Sequence, residues 1–127
     1  MQLEGQVAII TGAATGMGGA ITRALAAEGA NLFLAARQIE PIEEPANQLR
    51  EAGHSAQALS IDVTDETQVK SLVQTTLDDY GRRIDILVNV AVMTGRIATP
   101  VWQIEYDDYM AVITANILGT FLPIKHV

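Results

Sequence analysis

The chain has 127 residues, close to one ordinary domain, and 49% of them are hydrophobic, enough to build a single core. Its 15 acids outnumber 8 lysines and arginines, giving a formal net charge of -7 that argues against nucleic-acid binding, and the lack of cysteine excludes disulfide scaffolds and thiolate metal sites. Met1-Gln2-Leu3-Glu4-Gly5 has no basic segment leading into an apolar signal core, and no apolar run approaches the roughly 20 residues that cross a bilayer, so a cytoplasmic protein with no membrane partner is expected.

Val7-Ala8-Ile9-Ile10 is a short apolar run of the kind buried on both faces of a parallel sheet. Thr11-Gly12-Ala13-Ala14-Thr15-Gly16-Met17-Gly18 follows directly, and Ile21, Ala24 and Leu25 then recur at helical spacing within a helix expected from about Met17 to Glu28. Strand, glycine turn and helix in that order form a phosphate-binding turn. One glycine permits the tight turn, one lets a pyrophosphate approach the backbone, and one lets helix and strand pack closely. The helix start offers free N–H groups and a partial positive charge to the anion. On so acidic a chain an anionic ligand must be held locally, by such amides and by one or two placed arginines.

Gly29 is placed to cap that helix, and Asn31 to Ala35 reads as a second strand around Leu32, Phe33 and Leu34. A second helix is expected near Ile42 to Glu51, where Pro41 and Pro45 suit only its start and Gly53 its end. Ala56 to Ile61 reads as the third strand. Asp62-Val63-Thr64-Asp65 supplies a turn, with Thr64 or Asp65 capping a helix whose apolar face is Val69, Leu72, Val73 and Leu77, stopped by Gly81. Ile84 to Val88 reads as the fourth strand, ending at Asn89. A long helix then runs from Glu105 or Tyr106 to about Leu122, bent or broken near Pro123. Strands alternating with helices imply a parallel α/β sheet with right-handed crossovers. In such sheets ligands bind beyond the carboxyl ends of the strands, which gathers Gly12 to Gly18, Ala36-Arg37, Asp62-Val63 and Asn89-Val90-Ala91 into one cluster.

Thr11-Gly12-x-x-x-Gly16-x-Gly18, Asp62-Val63, Asn89-x-Ala91 and Asn116-Ile117-Leu118-Gly119 resemble, in order and spacing, the motifs of the short-chain dehydrogenase/reductase family, and the likeness covers nearly the whole chain. The resemblance implies a Rossmann-type doubly wound parallel sheet, here truncated after the fourth strand and its following helix. It makes residues 1–127 one dinucleotide-binding domain, and implies reversible hydride transfer between an alcohol and a ketone. By the same resemblance Gly12, Gly16 and Gly18 face the pyrophosphate, with Thr15 in the same turn, and Met17 stands near the nicotinamide. Asp62 meets the adenine amino group and Val63 packs beside the ring. Asn89 braces the central strand and lines the cleft with Ala91, and Asn116 is the one member of the catalytic tetrad present, on a locally distorted helix.

Cofactor choice turns on the end of the second strand. Domains of this type that prefer NAD usually place an acid there, whereas this chain has neutral Ala36 followed by Arg37, whose guanidinium can hold a 2'-phosphate. NADP is favoured. NAD stays the alternative, because Thr15 occupies the other position where the family often carries a basic residue.

Two departures qualify the resemblance. The family's Asn-Asn-Ala-Gly appears as Asn89-Val90-Ala91-Val92, which strains the backbone if residue 92 needs a positive φ. Family enzymes are also much longer, and their catalytic serine and Tyr-x-x-x-Lys lie past the segment that resembles Asp107 to Val127. Tyr80, Tyr106 and Tyr109 are followed four residues later by Ile84, Met110 and Ile113, so no lysine stands at helical spacing to lower a tyrosine pKa. The chain alone is therefore expected to bind dinucleotide without turnover. Phe121 to Val127 ends mid-pattern, as though cut from a longer protein, which would expose the fourth strand and apolar helix faces and favour homo-oligomers. A non-catalytic dinucleotide-binding module and a partner-dependent interaction fragment are the alternative readings. His54 and His126 lack companions for a metal site, and no metal is expected.

Overall fold

A computed structural model describes residues 1–14 and 16–127. Four parallel strands, β1 (Val7–Thr11), β2 (Asn31–Ala36), β3 (Ala56–Ser60) and β4 (Ile86–Asn89), form one sheet in the order β3-β2-β1-β4. β1 is buried along its whole length because it lies between two strands and two helix layers. Successive side chains of a strand point to opposite faces. Ala8 and Ile10 accordingly join Leu32 and Leu34 under Ala26 of α1 (Gly16–Ala27) and Ile42 and Ala46 of α2 (Glu40–Glu51). On the other face Ile9, Phe33 and Ala35 meet Val69 and Leu72 of α3 (Glu66–Asp79) and Leu122 of α5 (Gly119–His126). Burying each such isoleucine or leucine contributes about 1.5–3 kcal/mol, so this two-sided core carries the fold.

The chain steps from β1 out to β3 and then returns to the opposite side of β1 for β4. The connections leaving β1 and β4 diverge at that reversal and leave a crevice beyond the strand ends. The doubly wound α/β sheet expected from the sequence is thus present, with helices on both faces.

Several boundaries differ from the sequence reading, each for a local reason. β4 begins at Ile86, two residues late, because the Asp85 carboxylate accepts the Val7 N–H at 2.8 Å, a role a strand carbonyl would otherwise play. α2 begins at Glu40 and continues through Pro45, whose missing N–H costs one helical bond while its neighbours Ile42 and Ala46 stay fully buried. Of the two residues that could cap α3, Asp65 does so, its side chain accepting from Thr67 N and Gln68 N, worth about 1 kcal/mol. Tyr80 follows α3, donating its hydroxyl to Leu32 O at 3.1 Å and setting its ring edge-on to Phe33. Partial burial raises its pKa.

The final helical stretch is irregular around Asn116, as the family resemblance implies, and not at Pro123, where the residue pattern suggests a break. α4 (Tyr106–Ile113) passes into a π-helical turn at Thr114–Leu118 before α5 resumes, and Pro123 lies buried inside α5 without breaking it. Among the described residues no helix is long and apolar enough to cross a membrane, and no group of side chains has the makings of a metal site. β4 is the edge of the sheet and its residues are only half-buried, while Trp102, Tyr106, Ile117, Phe121 and Ile124 of the adjoining segment are exposed.

One ion cluster ties the two helices of the second layer. Glu66 Oε1, in the first turn of α3, lies 2.7 Å from both Lys125 Nζ and His126 Nε2 at the end of α5. The Lys125 bond foremost, then that of His126, hold the Glu66 pKa at about 2 instead of 4.5. A depressed folded-state pKa contributes stability above the unfolded value, and that contribution is lost as pH falls from 4.5 toward about 2. E66Q should therefore melt below the parent protein at pH 7 in low salt, with the gap closing as the pH approaches about 2. Thermal melts at the two pH values check this, and an equal gap at both would refute it.

Candidate functional site

The crevice at the strand ends is an open cleft of about 970 Å³, with walls from all four strand-end connections and from the π turn. Its floor is the glycine turn. Gly12 has φ +67°, and a Cβ there would lie 2.5–2.7 Å from the backbone of Val90 and Ala91, so only glycine lets the turn lie against the end of β4. A Cβ on Gly18 would run into the carbonyl oxygen of Gly12, so this glycine seats the start of α1 on the turn. Gly16, with φ +58°, would place a Cβ in open space. Of the three it is the one with no described atom within 4 Å of that Cβ position, at a helix start, where the first N–H groups lack intrahelical partners and suit an anion. Thr15 lies outside the described residues.

Thr11 is a site residue that the motif reading does not supply, and its hydroxyl organises the far side of the turn. Fully buried, Thr11 Oγ1 donates toward Val88 O at 3.5 Å and accepts from Val90 N at 3.3 Å and Ala91 N at 3.4 Å. A hydroxyl closing an apolar strand immediately before the glycine was the available signal. Asn89 pairs in register with Thr11, and its buried Oδ1 has no hydrogen-bond partner among the described residues.

At the other end of the cleft stand Arg37, after β2, and Asp62, after β3. Asp62 Oδ1 accepts from Thr64 Oγ1 at 2.6 Å and Thr64 N at 2.9 Å. These two bonds, hydroxyl first, hold its carboxyl below the usual carboxylate range, with a smaller pull from the Arg37 charge. Asp62 is both a turn-forming residue and part of the cleft wall. The Arg37 carbonyl is fixed by Ser60 Oγ at 2.7 Å, while its guanidinium has no carboxylate within ion-pair distance among the described residues. Val63 completes this wall.

The opposite wall is apolar: Met17, Val92, Met93, Ala111 and Ala115. Asn116 shapes it from behind. Its amide makes a two-bond clamp on one residue, Oδ1 accepting from Met93 N at 2.8 Å and Nδ2 donating to Met93 O at 2.9 Å. The π turn brings this side chain to the loop after β4, and its backbone carbonyl accepts from Thr120 Oγ1 at 2.9 Å. Val92 does not have the positive φ that would strain it, since Arg82 and Ala98 are the described non-glycine residues in that region. Of the residues picked from sequence, Gly12, Met17, Arg37, Asp62, Val63 and Ala91 line the cleft directly, whereas Gly16, Gly18, Asn89 and Asn116 lie around it.

A family profile described as short chain dehydrogenase matches residues 6–127. The chain belongs to the short-chain dehydrogenase family. It is 40% identical over 121 residues to the granaticin polyketide synthase putative ketoacyl reductase 1 of Streptomyces violaceoruber, covering 95% of this chain and 43% of that protein. Among solved structures it is similar to an NAD+-bound xylitol dehydrogenase, with TM-score 0.94, 34% identity, and coverage of 100% of this chain and 48% of the other. A metagenomic short-chain oxidoreductase in complex with NADP gives TM-score 0.90 at 30% identity, covering 99% and 56%. This short-chain dehydrogenase sequence thus spans about half the length of the proteins it matches.

The two adjacent helical glycines give opposite expectations. G18A should destabilise the fold by about 1–3 kcal/mol through overpacking against the turn. At Gly19 an added Cβ meets only ordinary contacts at 3.6 Å and beyond, so G19A should be neutral or gain up to about 1 kcal/mol of helix propensity. Urea unfolding of both variants checks this. Equal effects would show that the packing of α1 on the turn does not set the site.

Proposed function

We propose that this chain is the cofactor-binding part of an oxidoreductase that interconverts an alcohol and a ketone and prefers NADP. The reading is carried by one observation: the cleft runs from the glycine turn to Arg37, which follows neutral Ala36 at the end of β2 and has no carboxylate within ion-pair distance among the described residues. No carboxylate stands at the end of that strand to repel a 2'-phosphate, and a guanidinium binds phosphate through charge-assisted hydrogen bonds. The residues present fit a nicotinamide dinucleotide. Gly12, Gly16 and Gly18, with Thr15, would hold the pyrophosphate at the start of α1. Asp62 and Val63 would hold the adenine, and Met17, Asn89 and Ala91 would stand toward the nicotinamide.

When bound, the dinucleotide supplies or accepts a hydride at the carbonyl carbon. The chain's own residues bind and orient it. Asn116 fixes the Met93 backbone, and with it the apolar wall, against which the reacting end would lie. The proton on the substrate oxygen needs an acid or base that this chain does not supply, because none of its tyrosines carries a lysine four residues on. The small alcohol or ketone is a substrate of the complete enzyme. The exposed apolar face of α4 and α5 favours self-association and keeps a partner-dependent interaction fragment as the second reading.

Calorimetric titration separates these readings. NADPH should bind more tightly than NADH, and R37A should remove about tenfold or more of NADPH affinity while leaving NADH nearly unchanged, the scale of a lost charge-assisted bond. Purified chain of verified mass should show no turnover of alcohol or ketone. Equal binding of both nucleotides, unaffected by R37A, would refute the NADP preference. Turnover would refute the binding-only role, and absence of nucleotide binding would favour the interaction fragment.

A further inference from the structure

Gly119 is buried at the junction of the π turn and α5, on the face that packs against the β3–α3 connection. Its backbone is ordinary right-handed helix, with φ -66°, so no conformational demand calls for glycine there. The demand is spatial. A Cβ at this position would sit 2.7 Å from Val63 Cγ2 and 3.6 Å from Val63 Cβ. Val63 is itself buried and forms part of the cleft wall beside Asp62. Its side chain is therefore enclosed between the helix on one side and the cleft on the other.

We infer that Gly119 is a positioning residue for nucleotide affinity: by lacking a side chain it lets Val63 stay withdrawn, and so sets the width of the adenine end of the cleft. This rests on the dinucleotide reading of the cleft. Val63 is β-branched and stiff about χ1, so it yields to an added methyl by shifting as a unit, and the open direction is the cleft. An alanine at 119 suits the local helical φ and raises helix propensity, so the cost of the substitution lies in the contact with Val63. The same π segment carries Asn116, whose clamp on Met93 sets the opposite wall, so one short helical irregularity fixes both sides of the cleft.

A double-mutant cycle on NADPH affinity tests the inference, with Kd read by calorimetry on the parent protein, G119A, V63A and G119A/V63A. G119A should weaken NADPH binding about tenfold, the scale of an overpacking penalty expressed at the site. G119A/V63A should bind as V63A does, because the smaller side chain accommodates the added methyl, and the two effects should be strongly non-additive. Should G119A alone fail to fold, the double variant decides: affinity equal to that of V63A supports the inference, and a further tenfold loss overturns it. Unchanged affinity in G119A also overturns it. Absence of NADPH binding by the parent protein would overturn the dinucleotide reading and this inference with it.

Discussion

The turn after β1 is pressed so closely onto the end of β4 that residue 12 has no room for a side chain. Much of the site follows from that contact. It needs a left-handed backbone as well as space, and glycine alone supplies both. Because the turn is held there, the start of α1 must in turn pack over Gly12, which removes the side chain from residue 18. Thr11 secures the other side, its hydroxyl shared among the Val88 carbonyl and the amides of Val90 and Ala91. The exposed backbone at Gly16 is what remains open after these protein contacts are satisfied.

A second constraint acts from the far side of the sheet. The π turn at Thr114–Leu118 rotates the helical stretch so that Asn116 reaches the loop after β4 while Gly119 lies against Val63. A regular helix advances its side chains by about 100° per residue, and the wider π turn changes that advance between Asn116 and Gly119. The cleft is thus framed by two backbone irregularities, the glycine turn and the π turn, each anchored to β4 or its loop. The fully buried strands between them give these irregular segments a rigid base.

The fold was legible because β1 and β2 are built around uninterrupted apolar runs and the first three helices are followed by glycines, Gly29, Gly53 and Gly81. The first unit also carried the site, since strand, glycines and helix occur in immediate succession. What the sequence hid was governed by single side chains acting on distant backbone. Asp85 takes the Val7 amide and so delays β4, which no local pattern around Ile84 announces. Pro123 looked like the natural break in the last helix, but losing one hydrogen bond is tolerated in a buried, packed segment, and the irregularity falls instead at Asn116. The distortion there was expected only through family likeness, because nothing in the periodicity of Thr114 to Leu118 departs from an ordinary helix. The glycine motif implied a tight turn, a close backbone approach and helix–strand packing without saying which glycine did which; the contacts give the tight turn to Gly12 and the helix packing to Gly18.

Hydrogen–deuterium exchange with and without saturating NADPH tests the central claim, that one nucleotide spans the cleft from the glycine turn to the strand ends. Protection should appear together in residues 12–18, 36–38, 61–64 and 90–93, with the helix faces remote from the cleft unchanged. Protection confined to the exposed face of α4 and α5, or none in residues 12–18, would contradict it.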